Sequence, residues 1–352
     1  MMTTGNHLKQ QNLAAAVTSD SRFVEILGDV SNQVRATAVV VDCVRKGYAP
    51  LGYGLADFSI LRHEGLFHLF HIPRVPGGSC IAPAHEHWLA HATSADLDVW
   101  VTQNPVLWAE PAHDYESAHV WAPFVMAAEK RHLMYYAGLS GETSQVLCGA
   151  VCSDSALNLW KRLDGNPITP FAGFDWHWRN PYGHCRHARD PHVIHVGSHY
   201  LMVYTAMHQN GCPCVGGLIS TDLERWDDIG PVLYRPSPPA VWWPESVNIQ
   251  PLEDGRWVMI VSVSPGLDYY VATDPHQWHG LTPQRINYVG RDRDALVAPE
   301  VVGRSDRTGR WLLAFFESNQ NRMFLGILDI HSQPWSIRRL EDPRELAEWI
   351  AL

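Results

Sequence analysis

The sequence predicts an all-β chain folded as a five-bladed β-propeller, and three observations predict it. Five similar turns each close on a tryptophan. A largely apolar strand precedes each turn. A shorter strand, introduced by a polar or proline-containing step, precedes that one in turn. The turns read SADLDVW (94–100), SDSALNLW (153–160), STDLERW (220–226), ATDPHQW (272–278) and LDIHSQPW (328–335), so Trp100, Trp160, Trp226, Trp278 and Trp335 recur with a period a little under sixty residues.

The long strands are GLFHLFHI (65–72), RHLMYYAG (131–138), SHYLMVYT (198–205), GRWVMIVS (255–262) and GRWLLAFF (309–316). Their density of β-branched and aromatic residues marks them as strands. The shorter ones are ADFSIL (56–61), WAPFVM (121–126), RDPHVI (189–194), PESVNI (244–249) and APEVVG (298–303). A multi-strand repeat of this length cannot bury both faces alone, whereas radial stacking of neighbours can. The closing tryptophans are expected to be structural wedges. The expected organisation is an N-terminal extension over 1–24, a propeller over 25–340 and a helical tail over 341–352. FVEILGDV, near residue 25, is expected to start the ring or supply its closing strand. In DPRELAEWIAL (342–352), Asp342 stands as N-cap and Pro343 at the first helical position.

With 46% hydrophobic and 18% charged residues among 352, there is ample material for a core. The net charge of −10 argues against nucleic acid or an anionic membrane as partner, since phosphate binding needs clustered Lys and Arg. No apolar run suits a secretory signal or a membrane span. The cysteines number seven, without CxxC spacing; CPC (212–214) reads as a turn. Reduced thiols and a cytoplasmic location are expected.

In a propeller the first strand of each blade lines the central channel, and residues at its start converge from different blades. The five starts carry Asp57, Pro123, Asp190, Glu245 and Glu300, expected at one common blade position. Several acids at one mouth raise each other's pKa values. Carboxylates with split pKa values are what glycosidic bond cleavage requires: one donates a proton to the leaving group, and one activates water or attacks.

ADFSIL, VWAPFV, ARDPHVIHVGSHYLMVYTA and WWPESVNIQPLEDGRWVMIVS, with DL-x-x-W turns closing several blades, resemble the five-bladed propeller glycoside hydrolases: family 43 and its relatives, including the family 32 fructosidases. The likeness spans roughly residues 50–335. It implies Asp57 as base or nucleophile, Asp190 as the acid that orients and tunes the pair, and Glu245 as general acid. Arg189 is expected to point the other way on its strand, as a structural ion-pair partner. Two departures stand out. Phe58 follows Asp57 where family 43 members usually carry Pro, and the family 32 tetrapeptide Asn-Asp-Pro-Asn is absent. Family 43 relatives invert and family 32 relatives retain, and the missing tetrapeptide favours inversion.

Indole faces suit the C–H faces of sugars, so Trp121, Trp242 and Trp243 are expected to line the pocket. His119 and His187, with Glu300, complete the expected substrate-binding set. His85 and His87, two apart on a strand, would make a metal pair with His91 or His119 as third ligand. No cofactor is expected to be required; a structural ion in the channel, as some relatives carry, is the one inorganic group the resemblance implies. The expected activity is hydrolysis of a small glycoside, oligosaccharide or furanoside. Two alternatives remain open at this point: a lyase, cyclase or transferase on a non-sugar metabolite, and a non-catalytic carbohydrate-binding propeller. The oligomeric state is not indicated.

Overall fold

The structure, a computed structural model, describes residues 23–27, 36–80, 85–140, 144–236, 242–263, 266–290, 296–305, 308–317 and 321–350. Five sheets form the blades. Blade one contains β1 (Phe23–Leu27), β2 (Ala36–Val40), β3 (Gly54–His63), β4 (Leu66–Arg74), β5 (Trp88–Ser94), β6 (Trp100–Thr102) and β7 (Leu107–Trp108). Blade two contains β8 (His119–Ala128), β9 (Arg131–Ser140), β10 (Ser144–Cys152) and β11 (Trp160–Arg162). Blade three contains β12 (Ala188–Val196), β13 (His199–Met207), β14 (Pro213–Ser220) and β15 (Asp227–Tyr234). Blade four contains β16 (Glu245–Pro251), β17 (Trp257–Ser262), β18 (Leu267–Ala272) and β19 (Gln284–Arg285). Blade five contains β20 (Asn287–Tyr288), β21 (Leu296–Ser305), β22 (Arg310–Glu317), β23 (Met323–Asp329) and β24 (Ser336–Arg339).

The innermost strands β3, β8, β12, β16 and β21 touch in sequence, and β21 returns to β3, which closes the ring around a channel. The second strands are buried along nearly their whole length. Each is covered on both faces by neighbouring blades, which is why these strands read as continuous apolar runs rather than as alternation.

Five hydrophobic clusters fill the spaces between blades, and each takes one of the five tryptophans. Each ring lies against the blade before its own. Trp160 meets Phe70 edge-on at 5.7 Å, Trp226 meets Tyr135 at 5.5 Å, and Trp335 stacks on Tyr269 at 4.2 Å. The wedge expectation describes these side chains correctly. Their turns are held by short side chains: Ser94 and Ser220 Oγ accept from the Leu97 and Leu223 amides at 2.7 and 2.8 Å.

The expectation for FVEILGDV needs correction. Phe23–Leu27 pairs with β2, and β2 pairs with β6, so this strand lies on the outer edge of blade one. The ring is instead closed by the chain just before β3. Tyr48 and Met323 exchange backbone hydrogen bonds at 2.8 and 2.9 Å, and the Leu55 amide donates to the Asn321 carbonyl at 2.7 Å. At the C-terminal end, Pro343–Leu346 forms a 3-10 turn that passes into helix at Ala347–Ile350, with Asp342 accepting from the Arg344 amide. No helix among the described residues is long and apolar enough to cross a membrane. All seven cysteines are unpaired.

Candidate active site

Each innermost strand carries a β-bulge at the same height, where two residues face one on the second strand. The bulged pairs are Ala56–Asp57, Ala122–Pro123, Asp190–Pro191, Ser246–Val247 and Ala298–Pro299. In four blades the first of the pair sits in the left-handed region: Ala122 at φ 46°, Asp190 at 56°, Ser246 at 49° and Ala298 at 49°. For a non-glycine residue this conformation is costly and persists only where the surroundings hold it. For Asp190 the restraint is visible. Its Oδ2 accepts from Thr205 Oγ1 at 2.7 Å and from the Ser246 amide of the next blade at 3.2 Å.

The bulges correct two expectations. The four acids do not share one blade position. Glu245 lies just before its bulge, Asp190 is a first bulge residue, Asp57 a second bulge residue, and Glu300 follows its bulge, so they descend into the channel like a stair. Arg189 does not point away either. A bulge breaks the two-residue alternation of a strand, so adjacent Arg189 and Asp190 both turn to the site. Arg189 Nη2 donates to Glu245 Oε1, its Nη1 donates to His187 Nδ1 at 3.1 Å and Gln145 Oε1 at 3.3 Å, and its Nε lies 3.8 Å from Asp190 Oδ2.

Asp57, Asp190, His192, Asn248 and Glu300 line one cleft. Burial, followed by the charges of Asp190 and Glu245, pushes the Asp57 carboxyl up to about 8; Arg74 opposes the shift. Arg74 is itself bonded to buried Glu86 at 2.7 Å and to Asn321 at 3.3 Å. Asp190 is also raised, by burial first and by Glu245, against the pull of Arg189 and its two hydrogen bonds. Burial pushes His187 down to about 3, with Arg189 and Arg186 adding to the effect. It is therefore a neutral ring whose Nδ1 accepts from Arg189. Three carboxyls, one guanidinium and one neutral imidazole thus meet at the mouth, where burial and like charge keep one proton on the acids.

Glu300 sits deeper. Burial lifts it to about 8, against hydrogen bonds from Ser59 and Asn248. Asn248 Nδ2 donates to it at 3.0 Å, and Gln250 Nε2 donates to Asn248 Oδ1 at 2.8 Å.

The expected aromatic lining divides. Trp121 precedes the blade-two bulge, at the height of Arg189 and Glu245, and its buried Nε1 has no hydrogen-bond partner among the described residues. Trp243 meets His187 edge-on at 5.3 Å. Trp242 is not part of the lining: it is 5% exposed within the core between blades three and four, with Arg235 over its ring at 5.1 Å. A tryptophan beside an acid on an extended segment points to the opposite side, and here that side is the core. His119 is buried and donates from Nδ1 to the His85 carbonyl at 2.8 Å. His91 is turned into blade one, bonded to His68 at 3.0 Å and Asn158 at 2.9 Å, so it does not join His85 and His87. Among the described residues no group of three or more His, Cys, Asp and Glu is placed to hold a metal ion. His192, which the sequence places near Asp190 among the channel histidines, lines the cleft one step past its bulge; Asn248, at the same step in blade four, was missed. The alternation of RDPHVI and PESVNI carries the signal for both, once the bulge is counted.

The model of the glycosyl hydrolases family 32 N-terminal domain matches residues 58–290. The chain belongs to that family. The family 32 match begins one residue after Asp57. A search of curated protein sequences gives no match. Among solved structures, the family 32 β-fructofuranosidase of Bombyx mori superposes with a TM-score of 0.63 at 14% identity, covering 96% of this chain and 70% of that one. A thermostable family 43 glycoside hydrolase gives 0.61 at 15%, covering 83% and 95%. The endo-arabinase of Bacteroides thetaiotaomicron gives 0.59 at 16%, covering 81% and 98%. These likenesses show the shared five-bladed fold. The family 32 membership makes the protein a glycosidase-like enzyme.

Proposed function

We propose that this enzyme hydrolyses a small glycoside, an oligosaccharide or a furanoside, with Asp57, Asp190 and Glu245 as its working acids. The observation that carries the proposal is the convergence of three carboxyls from three blades at the channel mouth, with Asp57 raised to about 8 by burial and by the other two. A pair that retains one proton can protonate the leaving oxygen with one member while the other, ionised, meets the anomeric carbon or a water. Glu245 takes the first role and Asp57 the second. Asp190 orients the sugar and, through Arg189, tunes Glu245.

The raised carboxyl is that of Asp57, while Arg189 is paired to Glu245. The acid role of Glu245 therefore requires the shared proton to pass to it when a sugar binds, and Arg189, whose Nε lies 3.8 Å from Asp190 Oδ2, is the cation whose shift toward Asp190 would allow that. The unpartnered indole N–H of Trp121, at the height of Glu245, supports a role in holding a sugar hydroxyl. The seven unpaired cysteines support a reducing compartment, so the enzyme is proposed to meet its substrate in the cytoplasm.

The test is hydrolysis of sucrose, fructo-oligosaccharides, arabino-oligosaccharides and aryl furanosides by the wild type and Glu245→Gln. Turnover of one class, with a loss of roughly 10²–10⁴-fold in the variant, supports the assignment. Undiminished turnover in Glu245→Gln removes it. The anomer released first, followed by NMR, decides the role of Asp57: retention makes it the nucleophile, and inversion makes it the base.

A further inference from the structure

The face of blade one that carries Asp57 also carries an aromatic cluster that the catalytic site does not use. Tyr53 immediately precedes β3, Trp88 opens β5, and Trp108 lies in β7. Strands β3 and β5 both run antiparallel to β4, so their starts lie at the same end of the blade, the end of the acids. Trp88 and Trp108 face each other across β5 and β7, and their rings stack at 5.3 Å and 23°. Tyr53 stands edge-on to Trp88 at 5.6 Å and 88°. With His87, 4.6 Å from Trp88 and 5.4 Å from Trp108, they make one packed aromatic cluster.

This surface is open and held in place. Trp108 is 50% exposed and Tyr53 40% exposed. The backbone beneath is fixed by Val106 N to Leu89 O at 2.9 Å and Ala109 N to His87 O at 2.7 Å. From blade two, Arg162 donates to the Trp108 carbonyl and to Glu116, whose side chain is wholly buried. A buried ion pair of the neighbouring blade therefore anchors the backbone of a half-exposed tryptophan.

The distances place the cluster outside the bond-breaking site but within reach of the same ligand. Tyr53 is four residues from Asp57, roughly 13 Å along an extended strand, and β5 lies two strand spacings, roughly 10 Å, outward from β3. Three rings expose at most a few hundred Å², well short of the ~1,200 Å² of a stable protein interface. A sugar ring, with C–H groups on one face, fits both the area and the negative face of an indole.

We propose that Tyr53, Trp88 and Trp108 form a distal sugar-binding platform on the rim of blade one, which takes a further unit of an oligosaccharide whose scissile bond lies at the acids. This rests on the hydrolase reading above and narrows it: the substrate class is an oligosaccharide rather than a lone glycoside.

The experiment is calorimetric titration of fructo- and arabino-oligosaccharides of two to five units into the inactive Asp57→Asn protein, with and without Trp108→Ala or Trp108→Tyr. Affinity should rise with length in Asp57→Asn. Trp108→Ala should remove the gain, weakening the longer ligands about 3–10-fold and leaving the disaccharide unchanged. Trp108→Tyr, which keeps a stacking ring, should restore most of the gain and shows that the site still folds. Equal weakening at all lengths, or none, overturns the platform while leaving the hydrolase reading intact. A Trp108→Ala protein that changes only its sedimentation from dimer to monomer assigns the rings to self-association and overturns it too. Absence of binding by any sugar, in a protein that also hydrolyses none, overturns both readings together.

Discussion

Two layers of the propeller repeat five times, and they repeat in opposite ways. At the rim the closing tryptophan recurs in all five blades, and in blades one and three the side chains and backbone of the whole turn recur with it. Ser94, Asp96, Leu97 and Trp100 in blade one return as Ser220, Asp222, Leu223 and Trp226 in blade three, with the leucines at φ 64° and 66°. Asp96 Oδ1 accepts from the Val99 amide and Asp222 Oδ1 from the Arg225 amide, both at 2.8 Å. At the channel mouth only the backbone recurs. All five inner strands bulge at one height, yet the residues just before, in and after the bulges range from acids through alanines and prolines to Arg189, Trp121, His192 and Asn248. A position that repeats in both respects supports the ring. One that repeats only in backbone offers five equivalent places to be filled differently, and that asymmetry is what makes a site.

The contrast can be broken most forcefully at the rim. Trp278 is fully buried, and its Nε1 donates to the Pro275 carbonyl at 2.8 Å. Trp278→Ala should cost about 3–5 kcal/mol of stability, read by denaturant unfolding, while kcat below the new transition is unchanged. A selective loss of kcat would show that the wedge reaches the site.

At the mouth, the same logic predicts the reverse sign. The folded-state pKa of Asp57, about 8, lies above its unfolded value near ~3.9. The folded protein therefore holds a proton that the unfolded chain has released, and stability falls as pH rises through that interval and stays low above 8. Asp57→Asn cannot titrate, so it should be inactive yet gain stability over the wild type between pH 4 and pH 9. In the wild type, kcat/KM should decline above about 8, as the proton shared by the pair is lost. A Tm difference that does not grow with pH would remove this account.

The smallest effect sharpens the comparison. Ala298 occupies a first bulge position at φ 49°, and Ala298→Gly should stabilise by about 1 kcal/mol through relief of the left-handed backbone. Asp190→Gly should not stabilise, because it also loses the bonds from Thr205 and Ser246. Equal effects would mean that those bonds do not hold the bulge.

The rim was legible in the sequence because a wedge needs one residue type at a regular spacing, and the turn-closing tryptophan supplies it in all five blades, as DL-x-x-W in blades one and three. The blade count and strand order followed. The mouth was legible only as a set of acids. Their heights were not, because a bulge inserts a residue without changing composition and shifts every later side chain by one. The same shift hid Arg189, which strict alternation turns away from Asp190. Trp242 was misplaced for a related reason: neighbours along an extended segment face opposite sides, so a tryptophan near Glu245 need not share its surroundings. The outward path of β1 was hidden because β2, the strand it pairs with, joins blade one through β6, which lies far along the chain.

The chain crosses directly from each blade to the next four times, but never between blades five and one. There the ring depends on non-covalent closure: the Tyr48–Met323 backbone exchange, the Leu55 bond to Asn321, and the cluster around Tyr48 and Trp100. The same Asn321 also accepts from Arg74, the cation that opposes the shift of Asp57. The molecule therefore behaves as a bracelet whose clasp is fastened two residues from the Asp57 carboxyl. Amide exchange at Leu55 and Met323 reports on the clasp, and an unfastened clasp is at once an opened ring and a dismantled candidate site.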